Sequence, residues 1–151
     1  MEKAVIIGGA GFLGSHVADE LSRRRYKVTI FDKNVSPWIS PDQEMVVGDM
    51  RDFATLKKVL EGARYLYHFG GVADIGEARD QPFETIETNV MGTATALEAS
   101  LVMGVQRFLY ASTIYVYSNY GSFYRASKQA AETFIEAYGE RFNLDYTLLR
   151  Y

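Results

Sequence analysis

A glycine-rich stretch near the N-terminus constrains the possible folds of this chain more than any other feature. The apolar run Lys3–Ile7 leads directly into the sequence GGAGFLG (8–14), and an amphipathic stretch follows. The spacing fits G-x-G-x-x-G and G-x-x-G-x-x-G, in which glycines make a tight turn, let a pyrophosphate contact the backbone and let a helix pack closely on a strand. Free N–H groups and the helix dipole would hold the phosphates. The residues assigned to this dinucleotide-binding loop are Gly8, Gly11, Phe12, Leu13 and Gly14.

An acidic residue stands where such a loop would need one to recognise a ribose. Asp32 lies 18 residues beyond Gly14, just past the second predicted strand. A carboxylate there can accept hydrogen bonds from both ribose hydroxyls of NAD and would repel the 2′-phosphate of NADP. The positive charge of the neighbouring Lys33 could offset that repulsion. A glycine-rich turn can also be a mere connector, and a strand-end aspartate can simply be solvated. The strand–loop–helix context with an acid at this distance favours NAD as the cofactor.

The rest of the chain alternates short apolar runs with longer amphipathic ones. Buried parallel strands are short, rich in β-branched and aromatic residues, and nearly continuous in apolar character. The predicted strands are Lys3–Ile7, Lys27–Phe31, Glu44–Val47, Arg64–Phe69, Val105–Ala111 and Tyr146–Leu149; the predicted helices are Gly11–Arg24, Phe53–Glu61, Phe83–Met103 and Tyr124–Phe142. This alternation predicts an α/β fold with a parallel sheet and right-handed crossovers. A chain of 151 residues predicts one domain, spanning 1–151.

Composition excludes several kinds of function. The chain has no cysteine and only two histidines, so no disulfide, thiolate nucleophile or metal site is expected. A net charge of -3 argues against a nucleic-acid partner, which favours a basic surface. No apolar run approaches the ~20 residues that span a bilayer, and the N-terminus lacks the pattern of a signal peptide. We therefore expect a cytoplasmic protein with no membrane partner.

Tyr124 and Lys128 form a Y-x-x-x-K pair on a predicted helix. Residues i and i+4 share a helix face, so the lysine ammonium can lie near the phenol. An unperturbed tyrosine titrates near ~10, and a nearby lysine together with a positively charged nicotinamide would lower the pKa of Tyr124. With 11 tyrosines in the chain, such a pair also arises by chance on an exposed helix. Its catalytic interpretation therefore depends on the glycine loop.

A pair of hydroxyl side chains, Ser112 and Thr113, ends the fifth predicted strand. Ligands of open α/β sheets lie at the carboxyl ends of the parallel strands. A hydroxyl there could hold the substrate oxygen that Tyr124 protonates or deprotonates. The alternative is a side chain that merely caps a turn.

Taken together, these segments resemble the extended short-chain dehydrogenase/reductase family, and within it the NAD-dependent epimerase/dehydratase group that works on nucleotide sugars. They occur in family order over essentially the whole chain. The matching segments are GGAGFLGSH (8–16), Asp32, GDMRD (48–52), YHFGG (67–71), NVMGT (89–93), FLYASTIYVY (108–117), YRASK (124–128) and LDYTLLRY (144–151).

The resemblance implies a Rossmann-type doubly wound sheet with helices on both faces, and it implies further site residues. Asp49 would accept a hydrogen bond from the adenine amino group, with Met50 beside it. Asn89 would be a buried polar residue behind the active site, and Thr113 would be the catalytic partner of Tyr124 and Lys128. His16 and His68 would be packing residues. The other cofactor contacts assigned are Lys33, Phe69, Gly70, Gly71, Asn89, Ala111, Tyr124 and Lys128.

The activity that the resemblance implies is epimerisation of a nucleotide-activated sugar, of the UDP-hexose 4-epimerase type. Hydride would pass from a sugar carbon to tightly held NAD while Tyr124 removes the hydroxyl proton, and the keto intermediate would take the hydride back on its other face. Dehydration is disfavoured, because Ile114 and Tyr115 stand where 4,6-dehydratases carry Asp-Glu. Two alternatives stay open: a non-catalytic NAD-binding or redox-sensing module, and an NAD-dependent dehydrogenase of a non-sugar alcohol.

Two expectations concern the assembly. The family continues beyond the position of Tyr151 into a sugar-nucleotide-binding region, so we expect this chain to be the N-terminal, cofactor-binding part with the substrate-binding region absent. In the family, the helices corresponding to 83–103 and 124–142 pair across a two-fold axis. The resemblance thus implies a homodimer.

Overall fold

Six strands form one parallel sheet in the computed structural model, which describes residues 1–151. The order across the sheet is β3-β2-β1-β4-β5-β6, and every neighbouring pair runs parallel. This is the doubly wound order of dinucleotide-binding folds, so the predicted fold class is confirmed. The strands are β1 (Lys3–Ile7), β2 (Lys27–Asp32), β3 (Gln43–Val47), β4 (Ala63–His68), β5 (Arg107–Ser112) and β6 (Asp145–Arg150).

Helices connect the strands. A π-helical segment, Ile86–Met91, joins α4 to α5, and a 3-10 turn covers Ile114–Tyr117 directly after β5. No helix is both long enough and apolar enough to cross a membrane. The helices are α1 (Phe12–Arg23), α2 (Phe53–Val59), α3 (Ile75–Asp80), α4 (Pro82–Thr85), α5 (Gly92–Met103) and α6 (Ser122–Phe142).

The central strand β1 supplies both hydrophobic cores, because successive side chains of a strand point to opposite faces of the sheet. Val5 and Ile7 belong to a large core with side chains of α2, α5 and α6, whereas Ala4 and Ile6 belong to a smaller core with α1. All four side chains are buried. This double burial explains why β1 is a continuous apolar run in the sequence.

The region between β4 and β5 differs most from the prediction of one helix over Phe83–Met103. That stretch holds α4, the π-helical segment and α5, and α3 precedes it without having been predicted. Asp74 caps α3, because its carboxylate accepts the N–H of Glu77 at 2.7 Å. An aspartate three residues before a glutamate is a helix-start pattern, so the sequence did carry a signal for α3. Pro82 then starts α4 as a separate helix.

Candidate functional site

A cavity of about 680 Å³ opens at the carboxyl ends of β1, β2 and β4. Its volume lies within the usual range of ligand pockets. The strand order reverses between β1 and β4, and a crevice at such a switch point is where open α/β sheets bind ligands. The residues predicted for the cofactor that line this cavity are Gly8, Gly11, Phe12, Leu13, Gly14, Asp32, Lys33, Asp49, Met50, Phe69, Gly70 and Gly71.

The glycine loop requires glycine at two positions because backbone segments meet there. Gly8 has a φ of 77°, and a Cβ at this residue would lie 2.5 Å from the nitrogen of Gly70. A Cβ at Gly14 would lie 2.3 Å from the carbonyl oxygen of Gly8. Contacts this short exclude any side chain. The absence of side chains lets β1, α1 and the segment after β4 approach one another around the cavity.

The N-terminus of α1 presents backbone donors to this cavity. The first hydrogen bond within the helix runs from the N–H of Ser15 to the carbonyl of Gly11 at 3.0 Å. The N–H groups of Phe12, Leu13 and Gly14 therefore have no acceptor within the helix. Gly11, the N-cap residue, has no side chain to accept them. Unpaired donors at the positive end of a helix suit a diphosphate.

The carboxylate of Asp32 lies at the end of β2 and anchors the loop. It accepts the N–H of Ala10 at 3.1 Å and the N–H of Asn34 at 3.0 Å. A carboxylate has about four acceptor positions, so two remain for the hydroxyls of a ribose. Lys33 follows directly and also lines the cavity.

Asp49 lies at the cavity but already has a partner within the chain. Its carboxylate accepts hydrogen bonds from the Arg51 guanidinium at 2.7 and 3.0 Å, and Arg51 also pairs with Glu84 at 3.5 Å and Glu87 at 3.8 Å. The hydrogen bonds from Arg51 hold the pKa of Asp49 below its usual range. The carboxylate is therefore ionised, and an adenine amino group would share it with Arg51.

Asn89 acts behind the cavity and does not line it. Its amide oxygen accepts the N–H of Val72 at 2.8 Å, and its amide nitrogen donates to the Val72 carbonyl at 3.0 Å and to the Ser127 hydroxyl at 2.9 Å. This side chain ties the segment after β4 to α6 between Tyr124 and Lys128. Both N–H donors of this amide are used within the protein, and the assignment of Asn89 as a cofactor contact stays a prediction.

Thr113, Tyr124 and Lys128 form a second group at the carboxyl end of β5. Lys128 is buried, and its ammonium donates to the Ala111 carbonyl at 2.9 Å and lies 5.9 Å from the centre of the Tyr124 ring. Thr113 is buried and caps the 3-10 turn by accepting the N–H of Tyr115 at 3.3 Å. The structure thus brings the three predicted catalytic side chains together, beside the cavity and not among its lining residues.

Burial has the largest effect on the pKa of Tyr124 in the chain by itself, and the sequence-based expectation did not include burial. Burial raises this pKa above its usual value, and the interaction with the Thr113 side chain lowers it by less. Lys128 does not offset the burial, because its ammonium is directed at the Ala111 carbonyl. Burial also lowers the pKa of Lys128 to about 8, against an opposing attraction from Glu132. In the chain by itself, the phenol is therefore protonated at neutral pH.

Neither histidine lines the cavity or belongs to the group of Thr113, Tyr124 and Lys128. His68 is fully buried, with its Nε2 2.9 Å from the Thr93 hydroxyl, and burial lowers its pKa to about 3. His16 is exposed and packs edge-on against Phe12, with ring centres 4.8 Å apart. No cluster of His, Asp and Glu side chains has the arrangement of a metal site.

The sequence analysis missed a buried ionic cluster next to Lys128. Glu132 is 7% exposed and accepts hydrogen bonds from Arg150 and Ser112. The available signal was spacing, since Glu132 follows Lys128 by four residues on the same helix and so shares its face.

Comparisons with known proteins agree with this geometry. Residues 4–151 match the family described as the NAD dependent epimerase/dehydratase family. A UDP-glucose 4-epimerase from Rhizobium leguminosarum bv. trifolii is 33% identical over 124 residues, which are 77% of this chain and 37% of that protein. A trifunctional UDP-glucose 4,6-dehydratase/UDP-4-keto-6-deoxy-D-glucose 3,5-epimerase/UDP-4-keto-L-rhamnose-reductase from Arabidopsis thaliana is 31% identical over 170 residues, covering 93% of this chain and 26% of that protein.

A solved structure gives the same result for the fold. UDP-glucose 4-epimerase from Brucella ovis in complex with NAD has a TM-score of 0.94 at 27% identity, covering 100% of this chain and 52% of the other. The chain therefore spans about half of that structure and less of the two curated relatives. Because the family match runs over residues 4–151, this chain belongs to the NAD dependent epimerase/dehydratase family.

Proposed function

We propose that these residues serve as the cofactor-binding part of an NAD-dependent epimerase that acts on a nucleotide-activated sugar, of the UDP-hexose 4-epimerase type. The observation that carries this proposal is the group of Thr113, Tyr124 and Lys128 beside a glycine-lined dinucleotide cavity. The names of the relatives support the substrate class, since they include UDP-glucose 4-epimerases. NAD, when bound, supplies the acceptor and donor of hydride.

The cavity residues would hold and orient the dinucleotide. The N–H groups at the start of α1 bind the diphosphate, and Asp32 accepts hydrogen bonds from the ribose hydroxyls. The cavity fits a dinucleotide because Gly8 and Gly14 leave space beside it that a Cβ would fill. Met50 lies under Gly70 and forms part of the cavity wall.

Tyr124 would move the proton of the sugar hydroxyl. Its phenol is half-buried at the end of β5, and the Thr113 hydroxyl can hold the same substrate oxygen. In the complex, the positive charges of Lys128 and of the nicotinamide would together favour the phenolate, which is the form of Tyr124 that accepts the proton. Epimerisation without net redox change would follow when the hydride given up by the sugar carbon returns to the other face of that carbon and Tyr124 returns the proton to the sugar oxygen.

The 3-10 turn after Thr113 favours epimerisation over dehydration. Ile114 is exposed and Tyr115 packs edge-on against the Tyr124 ring, with ring centres 6.4 Å apart. Neither side chain is a carboxylic acid, the group that the resemblance places at these two positions in 4,6-dehydratases. Elimination of water would need such an acid.

Binding of the cofactor can be tested through Asp32. We expect Asp32→Asn to weaken NAD binding about 10- to 100-fold, because charge-assisted hydrogen bonds to the ribose contribute about 1.5–3 kcal/mol. Binding of NADP should weaken less, since the carboxylate no longer repels the 2′-phosphate. Calorimetric titration of both nucleotides into each variant measures the effect.

Asp42→Asn is the matched control, since Asp42 is an exposed aspartate outside the cavity. NAD affinity of Asp32→Asn equal to that of Asp42→Asn would refute the role of Asp32. Absence of NAD binding by the unsubstituted chain would contradict the cofactor site itself.

We also infer that the protein forms a homodimer through helices 83–103 and 124–142, as the resemblance implies. In the structure, α5 and α6 pack side by side, and the Tyr138 hydroxyl donates to Glu98 across them. Met91 at the end of the π-helical segment, Val102 on α5 and Phe134 on α6 are all about half exposed. Exposed apolar side chains on both packed elements supply the surface that this interface would bury.

Phe134→Glu tests this interface. Burying a carboxylate without a partner costs several kcal/mol, so we expect the variant to be monomeric at micromolar concentrations where the parent is dimeric. Val35→Glu, at an exposed apolar position in the loop after β2, should leave the dimer intact. Light scattering distinguishes the two states, and a monomeric parent at high concentration would contradict the inference.

A further inference from the structure

A buried carboxylate lies one helical turn beyond Lys128. Glu132 is 7% exposed, and it follows Tyr124 by eight residues and Lys128 by four on α6. The three side chains therefore share one face of the helix. Burying an ionised carboxylate is costly unless it is paired and hydrogen-bonded, so this position calls for a physical explanation.

Three segments of the chain meet at this carboxylate. Arg150, near the end of β6, donates from Nε at 3.0 Å and from Nη2 at 2.7 Å to the two oxygens, which is a bidentate pair. The Ser112 hydroxyl, at the end of β5, donates to the oxygen that Arg150 Nε contacts. The guanidinium of Arg150 also stacks 4.9 Å above the ring of Tyr117 in the 3-10 turn. Glu132 thus joins α6 to the two strand ends that flank the predicted catalytic group.

The hydrogen bond from Ser112 links this cluster to Thr113. Ser112 directly precedes Thr113 in the chain, and both are buried. The carbonyl of Ala111, one residue earlier, accepts the Lys128 ammonium. Two successive residues of β5 are therefore bonded to two side chains of α6, one helical turn apart. This arrangement fixes the register of β5 against the helix that carries Tyr124.

The charges around Lys128 single out Glu132. The groups that face the ammonium are His68, the ring of Tyr110 at 4.7 Å, the ring of Tyr124 at 5.9 Å and Glu132. His68 is neutral because burial depresses its pKa to about 3, and burial raises the pKa values of both tyrosines. Burial raises the pKa of Glu132, but the hydrogen bonds from Arg150 and Ser112 and the charges of Arg150 and Lys128 together lower it by more, so Glu132 is ionised. It is the one negative charge near Lys128 at neutral pH.

We propose that Glu132 is a positioning residue of this site: its negative charge keeps the Lys128 ammonium charged, and its hydrogen bonds hold the end of β5 against α6. Arg150 partly neutralises the Glu132 carboxylate and so determines how strongly this carboxylate attracts the Lys128 ammonium. Lys128 and Glu132 form no direct ion pair, so the attraction acts through space. The inference rests on the proposed function for the roles of Thr113, Tyr124 and Lys128.

The proposal predicts effects of opposite sign for two neutral substitutions. Glu132→Gln removes the negative charge and leaves Lys128 near another cation, so we expect the pKa of Lys128 to fall by about one pH unit. Arg150→Gln removes the cation that partly neutralises the Glu132 carboxylate. The carboxylate then attracts the Lys128 ammonium more strongly, so the pKa of Lys128 should rise. A merely structural role would loosen the site in both variants and would shift this pKa in the same direction in both.

The titration is measured on this chain by NMR, with lysine labelled at Cε and the Lys128 signal assigned from its loss in Lys128→Arg. Glu140→Gln is the matched control, because Glu140 is an exposed glutamate two turns further along α6. Its Lys128 signal should titrate as in the unsubstituted chain.

Shifts of the same sign in Glu132→Gln and Arg150→Gln, or no shift in either, would overturn the proposal. If one variant does not fold, the sign of the shift in the other decides. The lysine titration needs no nucleotide, so a chain that fails to bind NAD would contradict the proposed function while leaving this result readable.

Discussion

Replacing Tyr124 by phenylalanine is expected to reduce turnover of the protein about 10²- to 10⁴-fold. The substitution removes only the hydroxyl that would exchange a proton with the sugar, and a positioned acid or base contributes a factor of this size. NAD affinity should fall less than about tenfold, because the loss of one hydrogen bond costs about 0.5–1.5 kcal/mol. Steady-state turnover of a UDP-hexose, beside a calorimetric NAD titration, separates the two effects.

Tyr120→Phe is the matched control for this experiment. Tyr120 is 78% exposed in the loop before α6 and lies outside both groups of site residues. Its turnover should remain within about twofold of the parent, as is usual for exposed positions. Tyr124→Phe with turnover equal to that of Tyr120→Phe would refute the proton-transfer role. A protein that binds NAD without any turnover would favour the redox-sensing alternative.

The fold was predictable because its signals are local. Strand β1 is apolar on both faces, and the glycine loop follows it directly, so a short window of sequence contains the start of the fold. The interruption at 86–91 was not predictable in this way. Its clearest role, the amide of Asn89 bonded to Val72 and Ser127, depends on residues far away in the sequence.

The candidate site also contains some features that local sequence predicts and others that depend on the tertiary fold. Asp32 was predictable from its distance to the loop, whereas the partnership of Asp49 with Glu84 through Arg51 requires the tertiary fold. The burial that raises the pKa of Tyr124 in the chain alone was not predictable, because sequence spacing does not reveal burial. Likewise, Glu132 and Arg150 belong to different elements, and only the parallel packing of β6 beside β5 brings them together.

The glycine loop yields the largest expected effect on stability. We expect Gly8→Ala to lower the free energy of unfolding by about 3 kcal/mol or more and to abolish NAD binding. A non-glycine residue in the left-handed region costs about 1–2 kcal/mol. The new Cβ would also lie 2.5 Å from the backbone nitrogen of Gly70 and 2.7 Å from the carbonyl carbon of Phe69. Relieving such contacts displaces the backbone after β4, at a further cost of about 1–3 kcal/mol.

Gly62→Ala separates the two contributions. Gly62 has a φ of 70°, close to the 77° of Gly8, but a Cβ there would have no neighbour within 4 Å. This variant therefore experiences only the conformational cost and should lose about 1–2 kcal/mol, with NAD affinity unchanged. Urea denaturation and NAD titration of both variants provide the comparison. Equal losses of stability in the two variants would contradict the close approach of β1 and the segment after β4 at Gly8. These two segments would then not form the cavity wall together.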